Sequence, residues 1–155
     1  MKINAIKKIV VMMMLLGLGS SLNVSAHDGA TGVVKQRMDA MSDMGDAMKA
    51  MASMVKGKQA FEPALFIQNG ETIASHSDMM PKLFPAGSMA GNSEALPAIW
   101  KQWDDFVSLN YRTKIDAETL VKMAQEGSEL RPLTKQFVKL ANDCKACHKD
   151  YRKKK

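Results

Sequence analysis

Cysteine and histidine are scarce in this sequence, and their scarcity limits the kinds of site that it can build. Cys144 and Cys147 are the only cysteines among 155 residues, and His27 and His76 lie far from them in the sequence. A zinc site needs four nitrogen, sulfur or oxygen ligands, so a single cysteine pair does not indicate zinc. Period-two alternation and internal repeats are also missing, which argues against a β-sheet protein and a repeat architecture.

Long apolar runs are missing as well. Residues 1–26 have the features of a secretory signal peptide: a lysine-bearing start, an apolar stretch at 9–18, and the small-residue cleavage site Val24-Ser25-Ala26. An uncleaved membrane anchor is the alternative, but a spanning helix needs about 20 apolar residues and this stretch has about half that number. We therefore predict that the protein is exported and that residues 27–155 form one mature domain.

The charge of the mature chain is close to balanced. The leader contains three lysines and no acidic residue, so its removal lowers the formal net charge from +6 to +3. Much of the remaining excess lies in Arg152-Lys153-Lys154-Lys155, which suits the solvated C-terminal end of a helix. Basic residues do not cluster elsewhere, so we expect no nucleic-acid partner, while docking on an acidic redox partner stays open. No acid–base or nucleophile constellation is visible, and we expect no enzymatic activity.

Near its C-terminal end the sequence carries Cys144-Lys145-Ala146-Cys147-His148, the Cys-x-x-Cys-His spacing that attaches a c-type haem. Two thiols can form thioethers with the porphyrin vinyl groups, and the imidazole can bind the iron. Offsets of three and four residues return to the same face of a helix, so one helical turn can hold the haem by three bonds. A redox dithiol is the alternative, but that motif usually opens a helix after a strand.

The spacing of apolar residues predicts four helices and no strand. We expect them at residues 30–56, 63–79 and 94–126, and then from an N-cap at Ser128 to about Tyr151. Gly127 should end the third helix, which we expect to bend near 112–116, and residues 81–92 should form a loop. The predicted fold class is all-α, an antiparallel four-helix bundle with a covalently attached haem in its core. The first helix then lies beside the last, so Met41 and His148 can face one iron.

Several of these segments together resemble the cytochrome c′ family, the class II c-type cytochromes. The segments that carry the resemblance are Val34-Lys35-Gln36-Arg37 with Met41 and Met44-Gly45, Leu83-Phe84-Pro85, Pro97-Ala98-Ile99-Trp100, and the Cys-x-x-Cys-His motif with Tyr151-Arg152. The resemblance implies one haem c per chain, a location in the bacterial periplasm, and often a homodimer through the first two helices.

The resemblance also implies roles for individual residues. Cys144 and Cys147 would carry the haem, with His148 as the proximal iron ligand. The family's distal position falls on Met41, which would be the sixth iron ligand in the low-spin branch of the family. The alternative for Met41 is adaptable core packing. We expect His76 to be a surface or capping histidine, and the alternative is that it binds the iron.

Two arginines complete the set of candidate site residues. Arg37 matches a family arginine near the haem propionates, with an exposed helix position as the alternative. Arg152 matches the arginine beside the proximal imidazole.

These assignments predict a periplasmic electron carrier, because an iron with both axial positions filled reorganises little on changing its oxidation state. The alternative is a five-coordinate, high-spin cytochrome c′ that binds NO or CO. A haem-free interaction bundle is a third possibility, and it differs from both in lacking the haem colour.

Overall fold

A computed structural model describes residues 29–89 and 91–154. Its helices are α1 (Gly32–Val55), α2 (Pro63–Met79), α3 (Ala98–Lys101), α4 (Trp103–Gln125) and α5 (Leu130–Tyr151), and a 3-10 turn (Met80–Leu83) follows α2. The four long helices α1, α2, α4 and α5 form a bundle. In the described ranges the only β-type pairing is an isolated bridge between Ala95 and Arg152. The all-α four-helix prediction is therefore confirmed, whereas the predicted signal peptide at 1–26 lies outside the described residues.

The ends of the helices follow local chemistry. Pro63 begins α2, where its missing N–H costs nothing because first-turn N–H groups lack helical partners. Gly127 follows α4 with a positive φ of 75°, a conformation that glycine adopts without strain. Its N–H donates to the Ala124 carbonyl at 3.1 Å, and the N–H of Ser128 donates to the Met123 carbonyl at 3.0 Å. This pattern is a Schellman motif, and it confirms Gly127 as the terminator.

The prediction that Ser128 is the N-cap of the last helix is wrong. Its backbone N–H is bonded to the end of α4, and Glu129, in an extended conformation, is the residue that precedes α5. The helix start is displaced by one residue because the Schellman motif occupies Ser128.

The predicted third helix is also shorter than expected and breaks at a different place. The chain leaves helical geometry at Gln102, between α3 and α4, and the predicted bend near 112–116 is wrong because α4 runs through it without interruption. Residues 94–96 are not helical either. The Leu96 N–H donates to the Tyr151 carbonyl at 2.9 Å, and the Lys153 N–H donates to the Glu94 carbonyl at 2.8 Å. Pairing with the end of α5 holds this segment extended.

The core is filled by side chains from all four long helices. Among the most deeply buried are Met51, Met54, Phe66, Ile73, Leu120, Leu133 and Leu140. The pair α2 and α4 approaches so closely that a Cβ added at Gly70 would lie 2.6 Å from Cγ2 of Val121. Close packing of this kind leaves few voids in a protein interior. None of the described helices has the length and apolar character needed to cross a membrane.

Two largely buried carboxyl groups, Asp116 of α4 and Asp143 of α5, interact with each other between these helices. Asp116 is 4% exposed, and its Oδ1 atom accepts hydrogen bonds from Nζ of Lys139 at 2.8 Å and from Nε2 of Gln136 at 3.3 Å. Burial works against ionisation, but the bonds from Lys139, Asp143 and Gln136 hold the pKa of Asp116 below its ordinary value. Burial, followed by the adjacent Asp116, raises the pKa of Asp143. The two carboxyl groups therefore resist being negatively charged at the same time.

This arrangement predicts a pH effect on stability. The pKa of Asp143 is higher in the folded than in the unfolded chain, where it is about 3.9. Its contribution to stability is therefore complete below the unfolded pKa and is lost as the pH rises through the folded pKa. We expect Asp143→Asn to stabilise the protein near neutral pH by up to about 1 kcal/mol, the scale of a like-charge contact. The gain should shrink as the pH falls and vanish at about pH 3, below the unfolded pKa, as measured by urea unfolding across the pH range.

Glu126→Gln is the control for this experiment. Glu126 is 62% exposed and lies 3.9 Å from Lys122, so its replacement should change the free energy of unfolding little at any pH. A gain for Asp143→Asn that is equal at every pH would contradict the explanation.

Candidate functional site

The three residues of the Cys-x-x-Cys-His motif lie in the last two turns of α5. Cys144, Cys147 and His148 line one cavity together, which confirms that the motif presents one face. The helix continues for three residues beyond His148 and ends at Tyr151, which packs edge-on against Phe106 at 5.5 Å between ring centroids. The motif is therefore held on a regular helix whose end is anchored in the core.

Two cavities flank this segment, with volumes of about 450 and 230 Å³. The residues that line both are Met41 and Gly45 of α1 and Cys147 and His148 of α5. Because the two cavities share these four residues between the first and last helices, we refer to them together as the cleft. The larger cavity alone has a volume typical of small-molecule sites. The structure thus brings Met41 and His148 to the same cleft, as the sequence predicted.

The ionisation of these groups suits a haem site better than a redox dithiol. Burial, followed by the positive charge of Arg152, lowers the pKa of His148. A neutral imidazole keeps the lone pair that an iron ligand needs. Burial also raises the pKa of Cys144, and burial together with Cys144 raises the pKa of Cys147 to about 11. Redox-active Cys-x-x-Cys pairs instead have lowered thiol pKa values.

Arg37 provides a direct test of whether the cleft fits a haem. Its side chain lines the larger cavity and is only 4% exposed, so the alternative of an exposed helix arginine is wrong. The guanidinium donates to the carbonyl of Ser88 and lies over the Phe84 ring, 4.6 Å from its centroid. Its Nη1 atom is buried and has no hydrogen-bond partner among the described residues. A buried guanidinium N–H calls for an acceptor, and a carboxylate such as a haem propionate suits it.

The remaining candidates are also placed by the structure. Arg152 directly follows α5 and lines the larger cavity with His148, in keeping with the predicted position beside the imidazole. His76 lines neither cavity; its Nε2 atom lies 3.3 Å from Oδ2 of Asp43 on α1. The structure therefore gives no support to His76 as a second axial ligand.

Sequence reasoning missed several residues that line the cleft. Glu94 and Phe106 reach the larger cavity, and Asn110 and Thr113 reach the smaller one. They belong to distant parts of the chain, and no local spacing connects them to the motif. Gly45 belongs to a segment that carries the family resemblance, and its offset of four residues from Met41 places the two on the same helix face.

Comparison with known proteins agrees with this geometry. A family model described as Cytochrome C′ matches residues 32–152. The chain belongs to the cytochrome c′ family. It is therefore a c-type haem protein, with one covalently attached haem c per chain.

Individual members of the cytochrome c′ family illustrate the similarity. The chain is 33% identical over 126 residues to cytochrome c-556 of Agrobacterium fabrum, which covers 81% of this chain and 84% of that protein. The structure of cytochrome c′ from Rhodopseudomonas palustris superposes with a TM-score of 0.75 at 32% identity, covering 81% of this chain and 99% of that one. A nitric oxide complex of a variant of cytochrome c prime from Alcaligenes xylosoxidans gives a TM-score of 0.72 at 30% identity, covering 79% and 94%.

Proposed function

We propose that this protein binds NO or CO at a haem iron held by the α5 motif. Cys144 and Cys147 would form the two thioethers, and His148 would be the proximal ligand. When bound there, haem c supplies an iron atom with one coordination position available for a diatomic molecule. The nitric oxide complex of a variant of a relative, 30% identical to this chain, supports this function over that of a closed electron carrier.

The observation that carries the proposal is the lining of the smaller cavity. Beside the α5 motif, its walls include the side chains of Met41, Met44, Met48 and Ile73. The two polar residues that reach this cavity, Asn110 and Thr113, already donate hydrogen bonds to backbone carbonyls. The thioether and hydrocarbon groups offer no strong hydrogen bond to water or to an anion, so they favour a small neutral ligand over either. Arg37 serves a separate purpose at the larger cavity, where its unpaired N–H would hold a propionate and thereby orient the haem.

An electron carrier remains the second candidate because Met41 lines both cavities with His148. A thioether is a known iron ligand in cytochromes, and the flexible methionine side chain can adopt more than one position. Met41 bound to iron would close the site, whereas Met41 turned aside would leave it open. The two functions therefore differ in the position of a single side chain.

A visible spectrum of the wild-type protein with CO separates the two functions. We expect the reduced protein to be high-spin and to bind about one CO per chain, with a shift of its Soret band. A reduced protein that is low-spin and inert to CO, and an oxidised form with the weak red band of iron–methionine bonding, would instead identify an electron carrier. The chemistry behind both outcomes is the occupancy of the sixth iron position.

We further propose that the protein is periplasmic and has no enzymatic activity, and that as an electron carrier, the second candidate, it would exchange electrons with a redox partner. A homodimer through α1 and α2 is proposed from the family resemblance. Sedimentation of the haem-loaded protein would test the dimer, since a mass of one chain would contradict it.

A further inference from the structure

Gly45 is a glycine that neither the backbone nor the packing of the described protein explains. It lies in the interior of α1, and it is not among the glycines with positive φ. An alanine Cβ at this position would meet no atom within 4 Å outside the neighbouring helix backbone. A glycine in a helix interior is unfavourable relative to alanine because its backbone loses more conformational freedom on folding. Alanine would be more stable than glycine at this position, and no contact within the protein explains why glycine stands there instead.

The location of Gly45 in the cleft explains why glycine occurs at this position. It is one of the four residues that line both cavities, together with Met41 on its own helix and with Cys147 and His148 across the cleft. Met41 lies four residues earlier, so both residues present the same face of α1. The open space in front of Gly45 is therefore part of the cleft that holds the haem.

We propose that Gly45 is a haem-positioning residue. Its missing side chain lets the porphyrin approach the backbone of α1, and the resulting spacing sets how Met41 stands relative to the iron. The proposal rests on the haem site described above, and it extends that site to a residue with no functional group of its own.

Gly70 of α2 is the matched control because it is also an interior helix glycine. A Cβ at Gly70 would lie 2.6 Å from Cγ2 of Val121, so that glycine is explained by protein packing alone. It lines neither cavity. Replacement of the two glycines by alanine therefore distinguishes contact with the haem from contact with a neighbouring helix.

The experiment compares Gly45→Ala and Gly70→Ala in the haem-loaded protein. The measurements are the Soret and visible spectra, the rate of CO association, and the equilibrium constant for unfolding in urea. If Gly45 were an ordinary helix position, alanine would lower the unfolding constant about fivefold, the effect of helix propensity. We expect instead that Gly45→Ala raises this constant and shifts the absorption bands, while Gly70→Ala raises it without any spectral change.

The spectrum decides the outcome. A Gly45→Ala protein with wild-type absorption bands and an unchanged CO association rate would overturn the proposal, whatever its stability. Absence of CO binding by the wild-type protein would count against the proposed gas-binding function only, because the spectral comparison of Gly45→Ala with wild type can still be made.

Discussion

The double variant Cys144→Ala, Cys147→Ala is expected to lose essentially all of its haem to acidified acetone, while the wild-type protein keeps it. These are the only two cysteines of the chain, so no other thiol can form a thioether. Without a covalent bond, the haem is held by the His148–iron bond and by packing in the cleft, both of which acid disrupts. The measurement is the haem absorbance that remains with the precipitated polypeptide.

Each single cysteine variant serves as a control for the double variant. One remaining thioether should keep the haem with the polypeptide, although the absorption bands should shift. The double variant should also unfold at a lower denaturant concentration, because a cofactor bound to the folded state contributes its binding free energy to folding. Haem that leaves the unmodified protein in acidified acetone would contradict the assignment of the motif.

Met41→Ala is expected to have the largest effect on ligand binding at the distal side of the iron. Met41 is partly buried and lines both cavities with His148, so in the proposed gas-binding protein it must stand aside before a ligand enters. Removing its side chain should raise the CO association rate by roughly tenfold, which corresponds to about 1.4 kcal/mol of barrier. The spin state of the reduced iron should stay unchanged. Stopped-flow mixing of the reduced protein with CO measures this rate.

Met51→Ala is the matched control for Met41→Ala. Met51 lies on the same helix, is fully buried, and lines neither cavity. Its replacement should cost about 2 to 5 kcal/mol of stability through the cavity that it leaves, with no change in the CO rate. A conversion from low spin to high spin in Met41→Ala would show that Met41 is an iron ligand and would establish the electron-carrier function instead.

Local signals predicted most of the helical fold. Pro63 marked the start of α2, and Gly127 marked the end of α4, because each residue type has a backbone preference that acts within one turn of chain. The prediction failed where a distant segment competed with helix formation. Residues 94–96 stay extended because Leu96 and Glu94 form backbone hydrogen bonds with residues 151–153, which lie 55 to 59 positions later in the sequence. Apolar spacing contains no information about such a partner.

The candidate site also has features that the sequence predicted and features that only the packing of the helices decided. The Cys-x-x-Cys-His spacing by itself indicated a covalent haem and its proximal ligand, because three bonds from one helical turn require only local geometry. The order of the helices also predicted that Met41 of α1 faces His148 of α5. Tertiary packing decided that Arg37 is buried with one unpaired N–H, and that Gly45 lines the same cleft. The burial of a side chain, the volume of a cavity and an unpaired hydrogen-bond donor depend on how helices distant in sequence pack together. Residue spacing along the chain therefore cannot predict them.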